Sequence, residues 1–199
     1  MASGTESAWA ALEKLPSEEV CRNADARSAP GGDGYLLSCF GQEVLIRPTR
    51  REITADSSVA SALLGKLRYF SELAILCYLA GARDIPPSGK LIRPSDLKAG
   101  QIFATGSHVL PLDKLAQKYG NDIAGFLERG GELGGEGAGL GDASLRLLPF
   151  PRVPVVLVLW RECEEFRARA DLLFDSTCER HLPQDIIWAT AMLSVLIMM

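Results

Sequence analysis

The chain has 199 residues, of which 47% are hydrophobic and 23% charged. That is the length of one ordinary domain and the composition of a packed core, since disordered chains carry too few apolar side chains to offset ordering entropy. Twenty-five acidic against 21 basic residues leave a net charge of −4, which speaks against broad nucleic-acid binding and against a polybasic membrane anchor.

Residues 1–7 are expected to lie outside the folded part. The N-terminal stretch has an early acid and no apolar h-region, so it does not read as a secretory signal. Residues 8–24 read as helix: Trp9, Leu12, Leu15 and Val20 share one stripe, and Pro16 can split the segment in two. Residues 27–34 are a loop. Residues 35–40 and 43–47 then form a predicted β-hairpin around Gly41-Gln42, a type II′ turn, before Pro48 ends the ladder.

The longest helical pattern runs from Ser57 to Gly81. Leu63, Leu64, Leu67, Phe70, Leu73, Ala74, Cys77 and Tyr78 recur at three and four residues, with Ser57 or Ser58 as cap and Gly81 at C′. A short strand is expected at 101–104. A second amphipathic helix follows over 111–129, interrupted near Gly120.

Residues 130–142 read as a Gly-rich loop, after which the chain turns β-like. Strands are expected at 144–148, 153–160 and 167–174. The middle one is apolar almost throughout, which suits burial on both faces. Pro183 opens a last helix that Asp185 favours through the macrodipole. The apolar run 186–199 falls short of the about 20 residues that cross a bilayer; it reads first as a core helix and second as an apolar face for a partner. Grouped strands make the fold α+β: a mainly antiparallel sheet from two hairpin regions, packed by about four helices in a single domain, 1–199.

Most chemistry tested against the chain fails. The glycines of 130–141 follow a helix and precede a strand, the reverse of a dinucleotide fingerprint, and no P-loop is present. There is no GxSxG, and the adjacent Ser107 and His108 are not triad geometry. Cys21, Cys39, Cys77, Cys163 and Cys178 form no CxxC pair and no disulfide framework, which suits reduced thiols in a cytoplasmic protein. No metal site, cofactor or catalytic residue is assigned.

Some polar residues remain that punctuate otherwise buried strands. Asp175 ends an apolar strand, so its carboxylate must be capped, paired or functional; capping of 176–178 is the plainer reading, and His181 could pair with it. Arg152 precedes the buried strand and either anchors an internal carboxylate or reads an anion through its planar fork. Glu164 and Glu165 stand in a hairpin tip, where charges are usually solvated.

A set of segments follows in order along the chain. They are Leu76-Cys-Tyr-Leu-Ala80, Pro111-Leu-Asp-Lys-Leu115, Leu133-Gly-Gly135, Gly141-Asp142-Ala-Ser144, Pro151-Arg-Val-Pro-Val-Val-Leu-Val-Leu-Trp160, Glu164-Glu-Phe166, Leu173-Phe-Asp175 and His181-Leu-Pro-Gln-Asp185. Together they resemble the prokaryotic domain-of-unknown-function family 3786, most strongly in the strand-rich half, with the Arg-Val-Pro and Tyr-Leu segments as hallmarks. The resemblance implies an origin largely among anaerobes. Some relatives carry an added four-cysteine iron–sulfur domain, which implies redox or corrinoid-linked surroundings by association. This chain has no such cysteine set. It also carries Cys163 where the family suggests Asp and Gln184 where it suggests Glu, which puts in doubt any site those carboxylates build in relatives.

Three readings stand in order. The first is a non-catalytic accessory domain binding a small anionic or tetrapyrrole-like ligand, or a protein partner. Its candidate residues are Asp142, Arg152, Trp160, Glu164, Glu165, Asp175, His181 and Asp185. The second is a scaffold that forms a homodimer through the C-terminal helix. The third is an enzyme using Asp175, His181 and Asp185 for acid/base work, which requires all three within hydrogen-bonding reach in one cleft.

Overall fold

Pro16 has no N–H to donate, and it separates α1 (Gly4–Leu12) from α2 (Ser17–Ala24). A computed structural model describes residues 4–98, 100 and 109–199. Helix α1 begins inside the stretch expected to lie outside the fold, and it buries Ala8, Trp9 and Leu12. The strand expected at 101–104 and His108 lie outside the described residues.

The first sheet is antiparallel, in the order β1 (Arg27–Ser28), β2 (Tyr35–Cys39), β3 (Gln42–Arg47), β4 (Glu52–Thr54). Its central hairpin pairs Cys39 with Gln42, so the turn is Phe40-Gly41 rather than Gly41-Gln42. Both turn residues have positive φ, 49° and 71°, which is the type I′ pattern. Phe40 accepts this strained conformation because its ring is buried and its N–H donates to Leu148 O at 2.8 Å, joining the two sheets.

The long helix expected over 57–81 is two helices, α3 (Ser58–Leu64) and α4 (Arg68–Gly81). Ser57 Oγ caps the first by accepting from Ala60 N at 3.0 Å. The chain turns at Gly65, and buried Ser71 donates to Leu63 O, one of the carbonyls left over where α3 ends. The amphipathic pattern near Gly120 likewise resolves into α5 (Leu112–Tyr119) and α6 (Ile123–Glu132).

The second sheet carries β5 (Leu91–Ile92), β6 (Glu136–Gly137), β7 (Ala143–Phe150), β8 (Val153–Trp160) and β9 (Arg169–Asp175), in the antiparallel order β5-β9-β8-β7-β6. The fold is thus α+β with antiparallel sheets, its helices shorter and more numerous than the sequence pattern suggests. The Gly-rich stretch is only partly loop: its start completes α6, and Glu136 and Gly137 pair with Arg146 and Leu145. Gly130 lets α6 approach β7, because a Cβ there would fall 2.2 Å from the Leu145 side chain.

Side chains alternate along β8. Val153, Val155, Leu157 and Leu159 join the main core, and Val156 and Val158 are buried on the other face. That two-sided burial is what the unbroken apolar run encodes.

Two helices close the chain, the short α7 (Cys178–His181) and the longer α8 (Gln184–Leu196). Helix α8 is buried nearly all round, including Thr190 and Ser194, whose hydroxyls donate to carbonyls four residues back. Beyond it, Ile197 O accepts from Arg129 and Met198 O from Tyr119 and Lys118. Most of the helix surface is thus buried within its own chain. Among the described residues no helix is long and apolar enough to cross a membrane.

Candidate ligand-binding site

Strand β8 sorts the candidate residues into two ends. Arg152 lies just before its start and Trp160 at its finish. At about 3.3 Å per residue the two ends are roughly 23 Å apart. The candidates therefore do not form one site.

At the first end Arg152 and Asp175 are engaged in holding the fold. Arg152 donates from Nε to Asn23 O at 2.8 Å and from Nη2 to Arg22 O at 3.0 Å, capping the last carbonyls of α2. The same guanidinium pairs with Asp84 at 2.6 Å. Tyr78, stacked on Phe150 with ring centroids 4.5 Å apart, donates to Ala24 O and accepts from Arg152 N. Burial pushes its phenol well above the ordinary range.

Asp175 is 1% exposed and has no basic partner among the described residues. Its Oδ1 accepts from Ser88 N (3.0 Å), Ser88 Oγ (3.0 Å), Thr177 N (2.9 Å) and Thr177 Oγ1 (2.7 Å), while Oδ2 accepts from Gly89 N at 2.7 Å. Burial opposes its charge, yet these bonds outweigh burial and hold the carboxyl below the usual range. It is an anchor that ties the 85–90 loop to the end of β9.

His181 does not hydrogen-bond to Asp175, as the sequence suggested it could. Its Nδ1 accepts from Arg83 N at 3.4 Å, and its buried Nε2 has no partner among the described residues. Burial, with Arg152 and Arg83 nearby, lowers its pKa, while Asp175 pulls the other way. Asp185 is exposed at the N-terminal turn of α8 and lines a different groove with Arg68, Tyr69 and Trp188. The acid/base trio thus fails to converge. Asp175 and His181 face backbone amides, and Asp185 belongs to another surface.

The second end is different. Trp160, Asp142 and the 161–168 connection surround a hollow of about 830 Å³, lined also by Arg161, Glu162, Cys163, Phe166, Arg167, Arg169 and Asn121. That volume lies within the range of small-molecule sites. The indole is fixed in place: Nε1 donates to Asp171 Oδ2 at 3.0 Å, and the Arg169 guanidinium lies 5.1 Å from the ring centroid while pairing with Asp171 at 3.2 Å. Gly141 closes against it, where a Cβ would fall 2.6 Å from the Val158 side chain.

Asp142 holds the rim by accepting from Arg161 N at 2.7 Å. Cys163 N donates to Phe166 O at 2.9 Å, making a tight turn that presents Phe166 at 70% exposure. Glu164 and Glu165 are exposed in that turn and are not among the residues lining the hollow.

Of the eight candidates, this hollow uses Asp142 and Trp160. The other lining residues Arg161, Phe166, Arg167 and Arg169 lie outside that set. The signal for some of them was present in the alternation Arg167-Ala-Arg169-Ala-Asp171, which places the charged residues at every second position, with Arg169 paired to Trp160 and Asp171 to Val158 across the ladder. Among the described residues no group of three or more His, Cys, Asp or Glu side chains is placed to hold a metal ion.

Two antiparallel sheets sharing a core, with an arginine–aromatic hollow at one end of the longer sheet, define an α+β domain with a surface recess. The chain belongs to the family described as Domain of unknown function (DUF3786), whose model matches residues 17–196. No curated protein and no solved structure matches it.

Proposed function

We propose that this chain is a non-catalytic accessory domain that binds a small anionic ligand in the hollow beside Trp160. The observation that carries the reading is the contrast between the ends of β8. Arg152 and Asp175 are taken up by groups of the fold itself, whereas the Trp160 end keeps aromatic and guanidinium side chains facing an open recess of about 830 Å³. The redox or corrinoid-linked setting implied by the family resemblance supplies the first ligands to try. The unpaired cysteines, among them exposed Cys163, suit a reducing, cytoplasmic compartment.

Thermal denaturation of the full chain with corrinoids, flavins and nucleotides tests the reading. A ligand present at 100 times its Kd stabilises by about 2.7 kcal/mol, a Tm rise of roughly 5–10 °C for a domain of this size. The rise is expected with at least one of them and is lost in Trp160→Ala. No shift with any of them, or a shift that survives the substitution, would remove the proposal.

A further inference from the structure

We infer that the ligand of this hollow is a planar ring system carrying a compact anionic group, a phosphate or a carboxylate. The inference rests on the reading of the hollow as the binding site and adds the class of molecule it takes.

The acidic groups of the hollow are already engaged. Asp142 accepts from Arg161 N, and Glu162 accepts from Asn121 Nδ2 at 3.4 Å. The basic groups are not engaged to the same degree. Arg167 has no hydrogen-bond or ion-pair partner among the described residues, and the nearest approach of Arg161 to a carboxylate, at Asp142, is 3.9 Å. The open guanidinium of Arg167, beside the loosely paired Arg161, is suited to a carboxylate or phosphate through its planar fork. The acids at the rim disfavour a long polyanion, which would run across them, and leave room for a single compact one.

The flat component follows from the two aromatics. Trp160 is 39% exposed and held rigid by Asp171 and by Arg169, whose guanidinium lies over one ring face, so a guest ring that packs against the uncovered indole surface costs little side-chain entropy. Phe166 stands over the same hollow from a closed turn. A single exposed aromatic is ordinary. Two lining one recess, with unpartnered Arg167 next to Phe166, fit a planar guest.

Isothermal titration and Trp fluorescence on the full chain, with flavin mononucleotide, riboflavin and inorganic phosphate as probes, test this. Flavin mononucleotide is expected to bind and to quench Trp160, riboflavin to bind roughly tenfold more weakly or worse, the loss of one charge-assisted pair, and phosphate alone more weakly still. Arg161→Gln with Arg167→Gln should lower affinity for flavin mononucleotide to that for riboflavin and leave riboflavin unchanged; the circular dichroism of this variant checks that it folds. Equal binding of flavin mononucleotide and riboflavin overturns the anionic class while the site stands. Full competition by phosphate at equal concentration overturns the planar class in the same way. Binding that persists in Trp160→Phe, Phe166→Ala with unchanged affinity, or no binding of any probe, overturns the site itself.

Discussion

Asp175→Ala removes an acceptor on which five donors converge, and its cost can be worked from their surroundings. A hydrogen bond to a charged group contributes about 1.5–3 kcal/mol net. All five bonds are half-buried, but Ser88 and Gly89 belong to an exposed loop that can move out to water, so part of their loss is recovered. Thr177 is held next to Asp175 at the end of β9 and cannot move away in the same way, and the 85–90 loop loses its tether to that strand. The net cost should be about 3 kcal/mol, a Tm drop of roughly 6–12 °C for a chain of this length. Urea unfolding at pH 7, followed by circular dichroism, measures it. Asp175→Asn should fall between the two, because the amide keeps an acceptor for Ser88 and Thr177 but turns an NH₂ toward Gly89 N–H. The sign with pH is also set. The unfolded chain takes up a proton near pH 4 and the folded carboxyl only at a lower pH. The stability contribution is therefore complete above about pH 4 and fades as pH falls through the folded value. An alanine variant within about 0.5 kcal/mol of the parent, the ordinary scatter of surface changes, would show that the five bonds do not anchor the loop.

Three further outcomes follow from the same geometry. His181 resists protonation in the folded state, because it is buried and Arg152 and Arg83 lie nearby, so stability should be complete above about pH 6.5 and decline below it; urea midpoints of His181→Gln should lose that slope below about pH 6.5, and an unchanged slope would contradict the assignment. With Ellman's reagent at pH 8, exposed Cys163 should react in the fast phase and Cys163→Ser should diminish that phase. Cys39 and Cys178, the latter pushed up to about 12 by burial, should stay silent until the chain unfolds. Truncation before Ile186 should yield unfolded or aggregated protein, since α8 is buried nearly all round; a soluble monomer with an unaltered spectrum would refute that role.

Much of the fold was legible in local patterns. The run 153–160 announced a strand buried on both faces because only a strand without a solvent side can be apolar at every position. Pro16 and the interruption at Gly120 marked real breaks, since proline lacks a donor and glycine weakens a helix. The break at Gly65 was hidden, because the apolar spacing continues through it, and what completes it is a bond from Ser71 back to Leu63. The hairpin turn was misplaced by one residue because a phenylalanine at positive φ is locally unfavourable. Its ring's burial and its bond to the other sheet outweigh that cost.

The site follows the same division. Residue types and their alternation place Trp160, Arg169 and Asp171 within one strand pair, and they mark Asp175 as a buried acid in need of partners. Neither could reveal that those partners are the amides of a loop 86 residues upstream, or that Arg152 reaches carbonyls 130 positions away. Backbone donors look alike in every sequence. Which of them meets a given carboxylate depends on how distant segments pack, and that packing turned one group of polar residues into anchors while leaving the other around an open recess.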